Sequence, residues 1–432
     1  MWCDRHDSII ALELPLHLLA CLGIRKMRFS IVVYLAVFLA PLSAQENWAR
    51  FRGENGSGVS LQPGIPVSWE ESEIAWKVQL EHVGHSSPVI WGKTLLITTA
   101  TEGGGKRFLH SFNADTGEQN WVATITMSDS PKHQKNSWAS STPVTDGNVI
   151  CMMMADAEGQ RVGAWDFSGK ELWVRDLGTF ESQHGLGVSP VLHEGVLLVA
   201  NDQLGPSTLE AMDSRTGKSI WVSERLSGTT SYSTPALVED GRGGLQIICI
   251  SQSSGVAGLD FRTGKQLWRT PELPMRSVAS PVVVDGMTFV TCGSGGNGKY
   301  LAAVRTGAGV SDSERIVFER RTTLPYVPCL IADKGLLYLW GDKGIIVCLR
   351  QETGEEVWME RIDGAFSGSP ILIEDRIYCA SEEGEMVVLR VGEQFEELGR
   401  TPLGDFCHST PAVANGHLYV HTFNSLIAVK AK

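Results

Sequence analysis

The nine cysteines of this 432-residue chain include no adjacent pair and no CxxC spacing. That excludes zinc sites and covalent haem attachment of the kinds that need two closely spaced thiols. Cys3 and Cys21 fall in a segment expected to be removed. Cys151, Cys249, Cys292, Cys329, Cys348, Cys379 and Cys407 mostly stand in apolar runs such as "VICMMM" and "IICI", where a free thiol behaves as a small buried hydrophobe. Clustered positive charge is also missing. With 37 basic against 49 acidic residues, a net charge of −12 and no Lys/Arg-rich run, the chain lacks what binds phosphate backbones or anionic lipid, so nucleic acid is not an expected partner. No helical period connects the short apolar runs of the body of the sequence.

A long apolar run is lacking too. The most apolar stretch, "FSIVVYLAVFLAP", follows Arg25, Lys26 and Arg28 and leads into "LSAQ". It is short for a membrane span of about 20 residues and has the basic, apolar and small-residue regions of a cleaved signal peptide, with cleavage after Ala44. Met27 is the better start, and residues 1–26 read as an over-extended beginning. The expected organisation is a signal peptide over 1–44, a leader over 45–72 and one domain over 73–432, placing the mature protein in the periplasm or outside the cell as a monomer.

What the chain does have is a period. A short polar or small residue and a proline lead into an apolar strand eight times: "SSPVI", "STPVT", "VSPVL", "STPAL", "ASPVV", "VPCLI", "GSPIL" and "STPAV", with prolines at 88, 143, 190, 235, 281, 328, 370 and 411. Their spacings fall between 41 and 55 residues. Inside a unit, "SPVVVDGMTFVTC" reads as strand, Asp-Gly turn, strand. A third strand follows, then a Thr-Gly turn, then a strand carrying tryptophan, as in "LDFRTGKQLWRT". Four short strands per unit with no helix between units predict an all-β, eight-bladed β-propeller of four-stranded antiparallel blades. The turn glycine supplies a positive φ, and Trp76, Trp121, Trp173, Trp221, Trp268 and Trp358 are expected to dock each blade on its neighbour. Phe318 replaces tryptophan in one unit, and "EQFEELGRTPL" has no aromatic anchor.

The last unit, "STPAVANGHLYVHTFNSLIAVKAK", supplies three strands, and "SEIAWKVQL" near the other end supplies a fourth. The N- and C-terminal strands are therefore expected to complete one blade and close the ring, removing the exposed sheet edge.

These turns and hairpins resemble the pyrroloquinoline-quinone-type β-propeller repeat over roughly residues 73–432, and "NWARFRGENGSGVS" looks like the leader of exported propellers of that type. The resemblance implies one of two functions. One is a quinoprotein alcohol or sugar dehydrogenase holding the quinone with calcium over the axis. The other is a non-catalytic scaffold like the outer-membrane assembly propellers. The enzymes' vicinal Cys–Cys pair is absent, and no residue matches their calcium set, so the resemblance favours the scaffold, with no catalytic residue, no metal and no assigned cofactor.

Other chemical motifs are weak. "GSGGNG" (293–298) matches GxGxxG, but "KYLAAVR" after it is too short for a pyrophosphate-binding helix. "GGGK" (103–106) lacks Walker spacing, and "HVGH" (82–85) has no local third ligand. The residues before each Ser/Thr-Pro are expected at one mouth of the axial channel: His82, His85, Trp138, His184, Tyr232, Arg276, Tyr326, Phe366 and His408. Such a ring suits a protein or small-molecule ligand, with the polar connection "MSDSPKHQKNSW" (127–138) capping it.

Overall fold

The computed structural model describes residues 47–307 and 309–432; the expected signal peptide, and Met27 within it, lie outside them. The described residues form eight sheets, each a four-stranded antiparallel blade, two of them extended by a fifth strand. Blade 1 comprises Val89–Trp91, Thr94–Ala100, Lys106–Asn113 and Gln119–Thr126, from the axis outward. Blades 2 to 7 begin at Val144, Val191, Ala236, Val282, Ile331 and Ile371. Blade 8 joins Ala412–Ala414, His417–His421 and Ser425–Lys430 to Ile74–Gln79 as its outermost strand. The eight-bladed propeller closed by its terminal strands is thus the observed fold.

Position in the blade explains the sequence pattern. Middle strands are covered on both faces by neighbouring blades, so they are apolar throughout: Ile150–Ala155 and Leu336–Trp340 are almost entirely buried. Outermost strands alternate, as in Gln119–Thr126, because side chains on a strand point to opposite faces and one face meets water.

Trp76, Trp121, Trp173 and Trp221 rest on the turn of the next blade, and the reason for its glycine is twofold. Gly117, Gly169, Gly217 and Gly264 have φ between 68° and 85°, and a Cβ on each would come within 2.3–2.7 Å of Trp76, Trp121, Trp173 and Trp221 respectively. Each indole Nε1 donates to a carbonyl of that same turn: Ala114, Phe167, Ser214 and Phe261, at 2.9–3.2 Å. Phe318 takes the same place on Gly354, and Trp358 donates to the Gly392 carbonyl at 3.0 Å. Trp268 behaves differently. Its Nε1 donates to Gln246 in its own blade, and the Arg315 guanidinium covers its ring at 4.3 Å.

Residues 47–72 are woven into the propeller. Asn47–Trp48 pairs with the inner strand of blade 1, and Val59–Ser60 lies parallel to the inner strand of blade 7. The segment then runs outward along blade 7, where the Ile65 carbonyl accepts from Tyr378 and the Trp69 amide donates to Thr401. Buried Trp69 joins the apolar cluster between blades 7 and 8, beside the strand that has no aromatic anchor of its own.

Candidate functional site

The Ser/Thr before each proline has a role beyond the turn. The Ser87 amide donates to the Thr142 hydroxyl of the next blade at 3.0 Å, Thr142 to Ser189 at 2.9 Å, Ser189 to Thr234 at 3.1 Å and Thr234 to Ser280 at 2.9 Å. The belt continues from Ser280 to the Cys329 sulfur at 3.2 Å, from Cys329 to Ser369 at 3.0 Å and from Ser369 to Thr410 at 2.9 Å. Between blades 8 and 1, the buried His421 ring contacts the Ser86 carbonyl through Nδ1 at 2.8 Å. In blade 6 the repeat marker is therefore Cys329, not Pro328. Leu330 stands where other blades have proline, as the register Ile331–Tyr338 against Ile371–Tyr378 requires.

Below the belt, residues 49–58 cross the axis. Arg50 donates to the Pro235 carbonyl of blade 4 at 2.8 Å, and Arg52 to the Leu330 carbonyl of blade 6 at 2.7 Å and the Pro370 carbonyl of blade 7 at 3.3 Å. Asn55 exchanges two bonds with the backbone of Leu237, at 2.6 and 2.8 Å. Both guanidiniums are buried and form no ion pair among the described residues. Burial lowers Arg50 to about 10, which leaves it charged at neutral pH. Phe51, between them, faces the other way and lines the cavity above.

That cavity has a volume of about 960 Å³ and is lined by the belt hydroxyls, Phe51 and the loops of the near mouth. Its wall includes four imidazoles in two contacting pairs: His85–His408 with centroids 4.8 Å apart, and His133–His184 at 4.7 Å. Burial pushes His85, His184 and His408 down from the ordinary imidazole range; for His85 the His408 ring adds to this, and for His184 Arg276 does. They are therefore neutral at neutral pH. Arg276 lies over the Tyr232 ring at 5.9 Å and bonds to Gln183. The loop between blades 1 and 2 straps the mouth. His133 and Asn136 bond to the His184 carbonyl, while Lys135 pairs with Glu382 of blade 7 at 2.7 Å and offers its carbonyl to His408 of blade 8.

Six of the nine expected mouth residues line this cavity: His85, His184, Tyr232, Arg276, Tyr326 and His408. His82 stacks on Phe108 at 4.7 Å instead, and Phe366 is buried against Trp340 at 5.4 Å. Trp138 anchors the strap, donating to the Ser130 carbonyl at 2.6 Å with Lys132 over its ring at 4.7 Å. The belt hydroxyls stood in view within the Ser/Thr-Pro motif. Phe51, Lys135, Asp342 and Lys343 carried no signal that set them apart.

A quinone with calcium does not fit these residues. Calcium takes six to eight oxygen ligands, several of them carboxylates. The cavity wall holds one carboxylate, Asp342, whose oxygens already accept the Tyr326 and Val327 amides at 2.7 and 3.1 Å. No group of three His, Cys, Asp or Glu able to hold a metal occurs among the described residues.

A family model described as outer membrane protein assembly factor BamB matches residues 106–328 and 327–394. The chain is similar to that protein from Yersinia pestis, at 21% identity over 52% of this chain and 58% of the relative, and from Shewanella oneidensis, at 23% over 56% of each. The match thus spans little more than half the length of these relatives. Among solved structures, BamB from Moraxella catarrhalis superposes with a TM-score of 0.60 at 16% identity, covering 83% of this chain and 97% of that one. A quinohemoprotein alcohol dehydrogenase from Comamonas testosteroni gives 0.64 at 12%, covering 90% and 81%. At these identities the likeness is one of fold alone.

Proposed function

The chain belongs to the family of the outer membrane protein assembly factor BamB, and from that premise we propose that it is a non-catalytic scaffold, exported to the periplasm, that holds a partner at its axial mouth and serves outer-membrane protein assembly. The observation that carries this reading is the one-sided cavity. A belt of hydroxyls and a rim of polar and aromatic side chains open on one face, while the chain's own residues 49–58 occupy the other end of the axis. A preformed concave site on a rigid ring suits recognition. Its residues supply neither a nucleophile–base pair nor a calcium set.

Deleting the gene in its own host tests the reading. The expected result is a reduced content of folded outer-membrane β-barrel proteins, restored by the wild-type gene, with the protein itself in the periplasmic fraction. Unchanged barrel content, or dye-linked alcohol oxidation with stoichiometric quinone uptake after adding the quinone and calcium, would overturn it.

A further inference from the structure

The mouth differs in charge from the rest of the molecule. The chain carries a net charge of −12, and elsewhere its cations are commonly paired: Arg350 with Glu393 at 2.7 Å, Arg390 with Glu396 at 2.6 Å, Arg400 with Glu397 at 2.7 Å. The cavity wall reverses this balance, with Lys135, Arg276 and Lys343 against the single carboxylate of Asp342. Asp342 is occupied by two backbone amides. Arg276 and Lys343 form no ion pair among the described residues, and Lys135 is neutralised only by Glu382 at the rim.

Beneath these cations, the belt points the same way. The hydroxyl oxygens of Thr142, Ser189, Thr234, Ser280, Ser369 and Thr410 each accept an amide proton from the preceding blade. Among the described residues none of these six donates its own proton to a protein acceptor, so the ring presents O–H donors to the cavity. A hydroxyl has one donor and two acceptor positions, so each keeps its donor for an oxygen of a guest, and a carboxylate takes such donors well. The cations stand in separate sectors of the ring: the strap after blade 1, the connection into blade 5, and blade 6. A compact anion fills only part of a cavity of about 960 Å³. An extended chain with spaced carboxylates reaches all three.

We infer that the axial mouth recognises an acidic polypeptide segment of a partner protein, its carboxylates meeting Arg276, Lys343 and Lys135 above the hydroxyl belt. This rests on the reading of the mouth as the binding face and adds the chemistry of the partner. Complementary charge of this kind sets orientation and association rate as well as affinity.

The test is a fluorescence-anisotropy titration of the full mature protein with a labelled Asp/Glu-rich peptide, its Asn/Gln counterpart and citrate as competitor. The acidic peptide is expected to bind and the neutral one not. Arg276→Gln with Lys343→Gln should weaken binding by about tenfold or more, with a smaller effect at higher salt. Lys170→Gln, on an exposed turn, should leave it unchanged. If the double variant fails to fold, the exposed Lys343→Glu alone must still weaken binding at an unchanged melting temperature. Equal binding of both peptides, or affinity indifferent to all these variants, would overturn the inference. So would citrate binding as tightly as the peptide, which would make this a small-anion pocket. Those failures would leave the deletion phenotype untouched, so the two readings are separable.

Discussion

Trp221, on the outer strand of blade 3, rests on the backbone of Gly264 in the turn of blade 4. Its Nε1 donates to the Phe261 carbonyl at 3.2 Å, and a Cβ at Gly264 would meet the ring at 2.3 Å. Two independent requirements converge on this glycine, since its φ is also 69°. Gly264→Ala should therefore cost about 2–5 kcal/mol, a left-handed alanine adding to overpacking against the indole. Trp221→Ala should cost about 2–3 kcal/mol, less than a fully buried ring, because Trp221 is only half-buried. Urea midpoints of the two variants check the order, and a neutral Gly264→Ala would refute the docking account.

The N-terminal segment should show two separable roles. A chain starting at Leu61 keeps the outermost strand of blade 8 but loses the bonds of Arg50, Arg52 and Asn55 across the axis. It is expected to stay free of aggregation with a lower melting temperature. A chain starting at Glu81 also loses Ile74–Gln79, which bares a strand edge, and is expected to aggregate. Light scattering during a thermal melt distinguishes them, and identical behaviour would contradict the division.

Thr234→Val tests the belt. The substitution keeps the shape but leaves the buried Ser189 amide without its acceptor, a loss of about 1–3 kcal/mol. Cys329→Ser restores the residue type found in the other blades and should be close to neutral. A belt that merely accompanies the ring would make both variants neutral.

Stability should fall in acid, with the window set by buried imidazoles. Burial holds His421 and His110 down to about 4, against an ordinary value of 6.5. Between these values the unfolded chain binds protons that the folded chain refuses. Stability is therefore fully present above about pH 6.5 and lost as pH drops toward 4, on the order of 3 kcal/mol for fully buried His421. In His421→Gln the absolute stability drops, but its slope between pH 7 and 4 should flatten. An unchanged slope would show that other groups govern the acid limb.

Much of the fold was legible because its contacts are local. The Thr-Gly turn, the hairpin and the alternation of the outer strand lie within one unit, and even the tryptophan's hydrogen bond to the next turn recurs at 38 to 46 residues. The mouth was legible in part for the same reason, since all nine expected residues stand two to five positions before the belt residue of their blade, and six of them line the cavity. His82, Trp138 and Phe366 left it because neighbours particular to their blades, Phe108, Ser130 and Trp340, captured the side chains.

The sequence by itself determined the strands, their grouping into blades and the number of blades, because a motif recurs every 41 to 55 residues, and the closure of the ring, because "SEIAWKVQL" supplies the strand that the last unit lacks. Only the tertiary structure decided the path of residues 47–72, the one-sided cavity and the charge of its mouth. Arg50 and Arg52 bind backbone carbonyls 185 to 318 residues away, and a carbonyl has no residue identity to read. The cations of the mouth come from separate blades, and the acids that neutralise or fail to neutralise them are set by geometry across the axis. Such pairings exist only once the ring has closed.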